Sequence, residues 1–119
     1  MGLSVSTKPS DDLLVLSLDG ELDIYTVGGF RQESDKIDPG ATQVVVDLTD
    51  VSLLDSSGLG ALVSLLNRAR AAGGLLGVIC PQRHLRRVFE ITGLRRAFVF
   101  GDDLDGVRAA LAEAATSAA

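Results

Sequence analysis

The chain has 119 residues, 46% of them hydrophobic, which fits one folded domain and argues against disorder. A formal charge of −5 speaks against a general nucleic-acid binder, whose affinity rests on neutralised phosphates. Aromatic residues make up only 4% and tryptophan is absent, so a core must come from Leu, Val, Ile and Ala.

Leu3, Val5 and Thr7 alternate with Ser4, Ser6 and Lys8, the pattern of an edge strand. Pro9-Ser10-Asp11-Asp12 predicts a turn. Leu14, Leu16 and Leu18 mark one face of a second strand, and Asp19-Gly20-Glu21-Leu22-Asp23 reads as a loop. Thr26 is a candidate cap for a helix over about residues 26–37, weakened by Gly28 and Gly29, which cost about 1 kcal/mol each relative to Ala. Asp38-Pro39-Gly40 ends it. A third strand is expected at 43–48, and Leu59, Leu62, Val63, Leu66 and Ala69 define a helix at 57–72, closed by Gly73-Gly74.

A fourth strand follows at 75–80. Beyond Pro81, Leu85, Val88, Phe89 and Thr92 mark a helix with Gly93 as its left-handed cap. Phe98-Val99-Phe100 is a short fifth strand. Asp102 or Asp103 is placed to cap a last helix bearing Leu104, Val107 and Leu111, whose alanine-rich end should fray after Ala114. The first two strands have only a turn between them and should pair antiparallel. From residue 43 strands and helices alternate, which implies parallel pairing. The expected fold class is α/β, with a small mixed sheet of about five strands and about four helices packed on it.

Cys80 is the one cysteine, which precludes an intrachain disulfide and suits a reducing cytoplasm. It reads as a small buried apolar residue. No cationic stretch followed by an apolar one opens the chain, so no signal peptide is expected. No apolar run approaches ~20 residues, so no membrane span is expected. Met1-Gly2 with Ser6 matches the loose myristoylation pattern, without a polybasic patch to support it.

Several motifs compete at the start of the 57–72 helix. Gly58-Leu59-Gly60 after a strand resembles a dinucleotide fingerprint, but the acid wanted about 20 residues later is replaced by Val78-Ile79-Cys80. No phosphate-loop lysine is present. Asp55, Ser56 and His84 have triad residue types without a nucleophile elbow. One Cys and one His make no metal cluster, and neither a metal nor a cofactor is expected. Arg83, Arg86, Arg87, Arg95 and Arg96 form a basic cluster that reads as a solvated helix face or a docking patch for an acidic surface. Asp23 reads locally as a turn or cap aspartate. One helix cap needs one oxygen, yet Asp55, Ser56 and Ser57 offer three in a row. At least one of them should be free to face solvent or a partner.

Gly20-Glu21-Leu22-Asp23, Val44-Val45-Val46-Asp47-Leu48 and Leu54-Asp55-Ser56-Ser57-Gly58-Leu59-Gly60, in that order, resemble a STAS domain. More narrowly they resemble the bacterial anti-sigma factor antagonists. Leu85-Arg86-Arg87-Val88-Phe89-Glu90-Ile91-Thr92-Gly93-Leu94 is similar to a later helix of that family, so the resemblance spans residues 1–119 as one domain. It implies a non-enzymatic, cytoplasmic partner switch. Ser56 would be phosphorylated by an anti-sigma factor with serine kinase activity, and a serine phosphatase would reset it. Asp23, Asp55, Ser57 and Gly58 would border the partner-binding surface. Unphosphorylated, the protein would capture the anti-sigma factor and free the sigma factor, touching neither nucleic acid nor membrane. Val27-Gly28-Gly29 departs from the family's first helix. The alternatives are a STAS interaction module of another signalling complex and a small nucleotide-binding enzyme.

Overall fold

A computed structural model of the chain describes residues 2–117. Its elements are β1 (Leu3–Ser10), β2 (Leu13–Leu22), α1 (Val27–Asp35), β3 (Gln43–Leu54), α2 (Ser56–Ala71), β4 (Leu76–Ile79), α3 (Arg83–Ile91), β5 (Val99–Gly101) and α4 (Leu104–Ser117). The five strands lie in sequence order across one sheet. β1 pairs antiparallel with β2, and every later neighbour is parallel, as the short first turn and the later helix crossovers dictate. The connection between β1 and β2 is tighter than Pro9-Ser10-Asp11-Asp12 suggests. Ser10 already pairs with Leu13, and Asp11 takes the left-handed conformation at φ 53°, which aspartate tolerates better than most residues.

Two strands are longer than the sequence pattern indicates, and the difference builds the site. β2 continues through Asp19-Gly20-Glu21 to Leu22, where a loop is expected. β3 runs on past Leu48 to Leu54. The polar Thr49 and Asp50, just past the expected strand end at 48, do not break it. The Asp47 carboxylate accepts the Thr49 N–H at 2.9 Å, satisfying a donor where the ladder is irregular. Beyond that irregularity pairing resumes as Asp19 with Asp50, Gly20 with Val51, Glu21 with Leu53 and Leu22 with Leu54.

Both faces of the central strands are buried, which explains the unbroken Val44-Val45-Val46 run. On one face Leu16, Leu18, Val44, Val46 and Val78 meet Phe30 of α1, Leu62 and Leu65 of α2, and Leu85 and Phe89 of α3. On the other face Leu13, Val15, Val45 and Ile79 meet Val107 and Leu111 of α4. Aromatics are scarce but concentrated: the Phe89 ring lies edge-on to Phe98 and Phe100, with centroids 5.3 and 5.0 Å away.

The remaining elements follow their sequence signals closely. Helix α1 forms despite Gly28 and Gly29 because Phe30 is fully buried beneath it. The Arg68 guanidinium of α2 also donates to Ser34 O and Ile37 O, tying down the end of α1. Gly93 adopts φ 75° and Leu94 N–H closes back on Phe89 O, the left-handed stop expected for α3. The Asp103 carboxylate accepts the Gly106 N–H and caps α4. That helix does not fray at Ala114 but continues to Ser117; Ala118 and Ala119 lie outside the described residues, as does Met1 of the myristoylation pattern.

Candidate functional site at the carboxyl end of the sheet

In an open parallel sheet the loops after the strands gather on one edge, the usual place for a binding site. Here β2 runs into Asp23, β3 into Asp55-Ser56, β4 into Gln82 and β5 into Asp102. The Asp55-Ser56-Ser57-Gly58 block follows the central strand β3 and meets the end of β2 and the turn after it.

Asp55 itself supplies the cap of α2. Its Oδ1 accepts the Gly58 N–H at 3.0 Å, and its carbonyl accepts the Leu59 N–H at 2.9 Å. With the cap filled by the carboxylate, Ser56 is the first residue of the helix and is exposed, while Ser57 is half-buried. The surplus of oxygens noted in the sequence resolves in this way. Asp55 has a second bond as well: its Oδ2 accepts the Ile24 N–H at 3.1 Å, and its own N–H donates to Leu22 O. One carboxylate thus joins the helix start to the turn that follows β2.

That turn is closely knit. Asp23 Oδ1 accepts the N–H groups of Tyr25 at 2.9 Å and Thr26 at 3.1 Å. Thr26 stands at the cap position of α1, but its hydroxyl makes no cap bond; it donates to Glu21 O at 2.6 Å instead. The local reading of Asp23 as a turn aspartate is what the structure shows. Removing the carboxylate in Asp23→Ala leaves the Tyr25 N–H without its acceptor and the Thr26 N–H with only the Asp23 carbonyl, and we expect a loss of about 1 kcal/mol. Asp23→Asn keeps an acceptor oxygen and should recover most of it. Thermal melts of the two variants check this.

Gly58 is buried, and a Cβ built on it would lie 2.5 Å from Leu22 O and 2.7 Å from Leu22 Cγ. Only glycine lets the first turn of α2 press this closely on the end of β2.

These strand ends and this helix start fall within a single recognisable pattern, because the STAS domain family matches residues 4–114. The chain belongs to that family. Among its relatives, an anti-sigma-B factor antagonist of Bacillus subtilis is 30% identical over 95 residues, covering 80% of this chain and 87% of the relative. An anti-sigma factor antagonist from Mycobacterium paratuberculosis superposes with a TM-score of 0.83 at 26% identity, covering 92% of this chain and 93% of that one. The anti-sigma factor antagonist SpoIIAA in its unphosphorylated form superposes with a TM-score of 0.61 at 26% identity, over 74% of this chain and 83% of that one.

The rival chemistries fit this STAS domain poorly. A nucleotide phosphate at the start of α2 would need N–H groups such as that of Gly58, which the Asp55 carboxylate already occupies. His84 Nε2 lies 3.2 Å from Ser52 O, and both Asp55 oxygens are engaged by backbone, so Asp55, Ser56 and His84 do not form a relay. Among the described residues no group of three His, Cys, Asp or Glu is placed to hold a metal. Cys80 is buried, and that burial pushes its thiol up from 9.0 to about 11, so it stays a protonated core residue.

The basic cluster divides. Arg86 donates to Cys80 O and to Asp102 Oδ1 at 2.8 Å and stacks 5.0 Å over the Phe100 ring, so it is a structural clamp. Arg83, Arg87, Arg95 and Arg96 are exposed.

The sequence reading gives no role to three exposed apolar side chains, two on the turn bonded to Asp55 and one at the end of β3. Tyr25 is 92% exposed, Ile24 63% and Leu53 45%, large apolar side chains where most of their kind are inside. The available signal was the pair of apolar residues directly after Asp23, outside any periodic run.

Proposed function

We propose that this STAS domain, residues 1–119, is an anti-sigma factor antagonist working as a phosphorylation-controlled partner switch in bacterial transcription regulation. The observation that carries the reading is Ser56, exposed at the first position of α2 while Asp55 takes over the cap. Unphosphorylated, the domain binds an anti-sigma factor with serine kinase activity and so frees a sigma factor. The kinase moves the γ-phosphoryl group of ATP to Ser56 Oγ; ADP leaves and the hydroxyl proton is lost. A serine phosphatase restores the hydroxyl by hydrolysis. Asp23, Asp55, Ser57 and Gly58 frame the surface that the partner reads. Gly58 contributes by setting the helix start, and the others border Ser56. The domain performs no catalysis of its own and acts in the cytoplasm, where sigma factors meet their regulators. No helix among the described residues is long and apolar enough to cross a membrane.

Incubation with the cognate anti-sigma kinase and ATP should add one phosphate to the wild type and to Ser57→Ala, and none to Ser56→Ala. Phosphopeptide mass spectrometry reads the position directly. Undiminished single phosphorylation of Ser56→Ala would sink the assignment.

A further inference from the structure

The geometry points to Asp55 as a positioning residue: its carboxylate latches the turn after β2 to the start of α2, presenting Ile24 and Tyr25 beside Ser56 as the apolar anchor read by the anti-sigma factor. The inference rests on the function proposed above and adds what the partner must offer, namely an apolar pocket next to its phosphoryl-transfer site.

The two carboxylate oxygens have separate duties. Oδ1 caps the helix through Gly58 N–H, and Oδ2 holds the Ile24 N–H. The turn that carries Ile24 and Tyr25 is closed on its other side by Asp23 Oδ1 and by the Thr26 hydroxyl on Glu21 O. Apolar residues on a loose loop would lose entropy on docking. On a turn fixed at both ends that cost is largely met before the partner arrives. Tyr25 is 92% exposed on a backbone fixed by Asp23 Oδ1, and tyrosine is among the side chains that most often dominate an interface. Leu53 is also exposed, but its neighbour Leu54 packs on the α2 face, so Leu53 turns to the other face of the sheet and is not part of the anchor. Of the four large apolar residues exposed among those described, Ile24 and Tyr25 are the two that the turn bonded to Asp55 carries side by side. Asp55 thus contributes to recognition without contacting the partner, by fixing a neighbouring turn against the residue to be modified.

Asp55→Asn separates the two duties. Asparagine caps helices as well as aspartate, so its oxygen keeps the Gly58 N–H. Its amide nitrogen is then left facing the Ile24 N–H, donor against donor. By hydrogen exchange we expect the Ile24 amide to exchange about tenfold faster, with amides in the body of α2 unchanged. Titration with the cognate anti-sigma factor should show a loss of about 30-fold for Tyr25→Ala and about tenfold for Asp55→Asn. The double variant should bind within about threefold of Tyr25→Ala alone, because the latch has nothing left to present. The salt dependence of Asp55→Asn binding should match the wild type. Additive losses, a flattened salt dependence or an unchanged Ile24 amide would overturn the latch and make Asp55 a direct contact or a cap alone. If no anti-sigma factor binds the wild type, the proposed function falls, and the exchange result by itself decides whether Asp55 holds the turn.

Discussion

Phosphorylated protein is expected to bind its anti-sigma factor about a hundredfold more weakly than the unphosphorylated form, with Ser56→Ala binding like the latter. The fold itself tolerates the modification. Ser56 opens α2, and a helix start stabilises added negative charge. The cost arises in the complex. A phosphate brings about −1.5 to −2 charges, which must be stripped of water beside the Asp55 carboxylate. Two unit charges about 6 Å apart repel by roughly 3 kcal/mol at an effective dielectric near 20, enough for the hundredfold. Ser56→Asp and Ser56→Glu should fall between the extremes, because one carboxylate is smaller and carries less charge. Titration calorimetry at two salt concentrations distinguishes this from simple crowding, since only the charge part shrinks with added salt. Equal affinity of the Ala, Asp and phosphorylated forms would remove the physical basis of the switch.

The second large effect separates two glycines that the motif treats alike. Gly58→Ala should lower stability by roughly 3 kcal/mol and the melting temperature by about 10 °C. Its new Cβ would meet Leu22 O at 2.5 Å, Leu22 Cγ at 2.7 Å and Leu54 Cδ1 at 3.0 Å. A backbone oxygen in a paired strand cannot swing away, so α2 must lift off the end of β2. That movement also disturbs the Asp55 bonds, so phosphorylation at Ser56 should fall with stability. Gly60→Ala is the control: nothing lies within 4 Å of its added Cβ, and the position is exposed. Exchanging a helical glycine for alanine there should stabilise by about 0.5–1 kcal/mol. Melts of the two variants side by side decide the matter, and comparable destabilisation of both would contradict the packing assigned to Gly58.

Much of the architecture was legible because it rests on local chemistry. The Val44-Val45-Val46 run, the spacing of Leu59, Leu62 and Leu66, and the Gly93 stop each belong to one element and carry their own signal. The lengths of β2 and β3 were not legible in the same way. Asp19-Gly20-Glu21 is polar and turn-like by itself, and becomes strand only because it finds Asp50, Val51 and Leu53 across the sheet. The site divides similarly. An excess of oxygens at Asp55-Ser56-Ser57 could be counted from the sequence. The bond from Ile24 N–H to Asp55 spans 31 positions and depends on those same extended strands. The exposure of Tyr25 likewise follows from how the turn is tied, which no periodicity encodes.

The order of strands has a consequence for how the protein coexists with copies of itself. β1 and β5 form the two borders of the sheet. β1 carries Lys8 and Pro9, a charge and a residue without an N–H, while β5 is only three residues long. The β5 border offers no long row of free donors and acceptors on which another chain could add a strand, and the eight-residue β1 border is blunted at its end by Lys8 and Pro9. Both devices work against sheet-to-sheet polymerisation of a regulator that must accumulate unbound in one state and be captured in the other. That favours association through the loops at the strand ends, where the proposed phosphate on Ser56 would act.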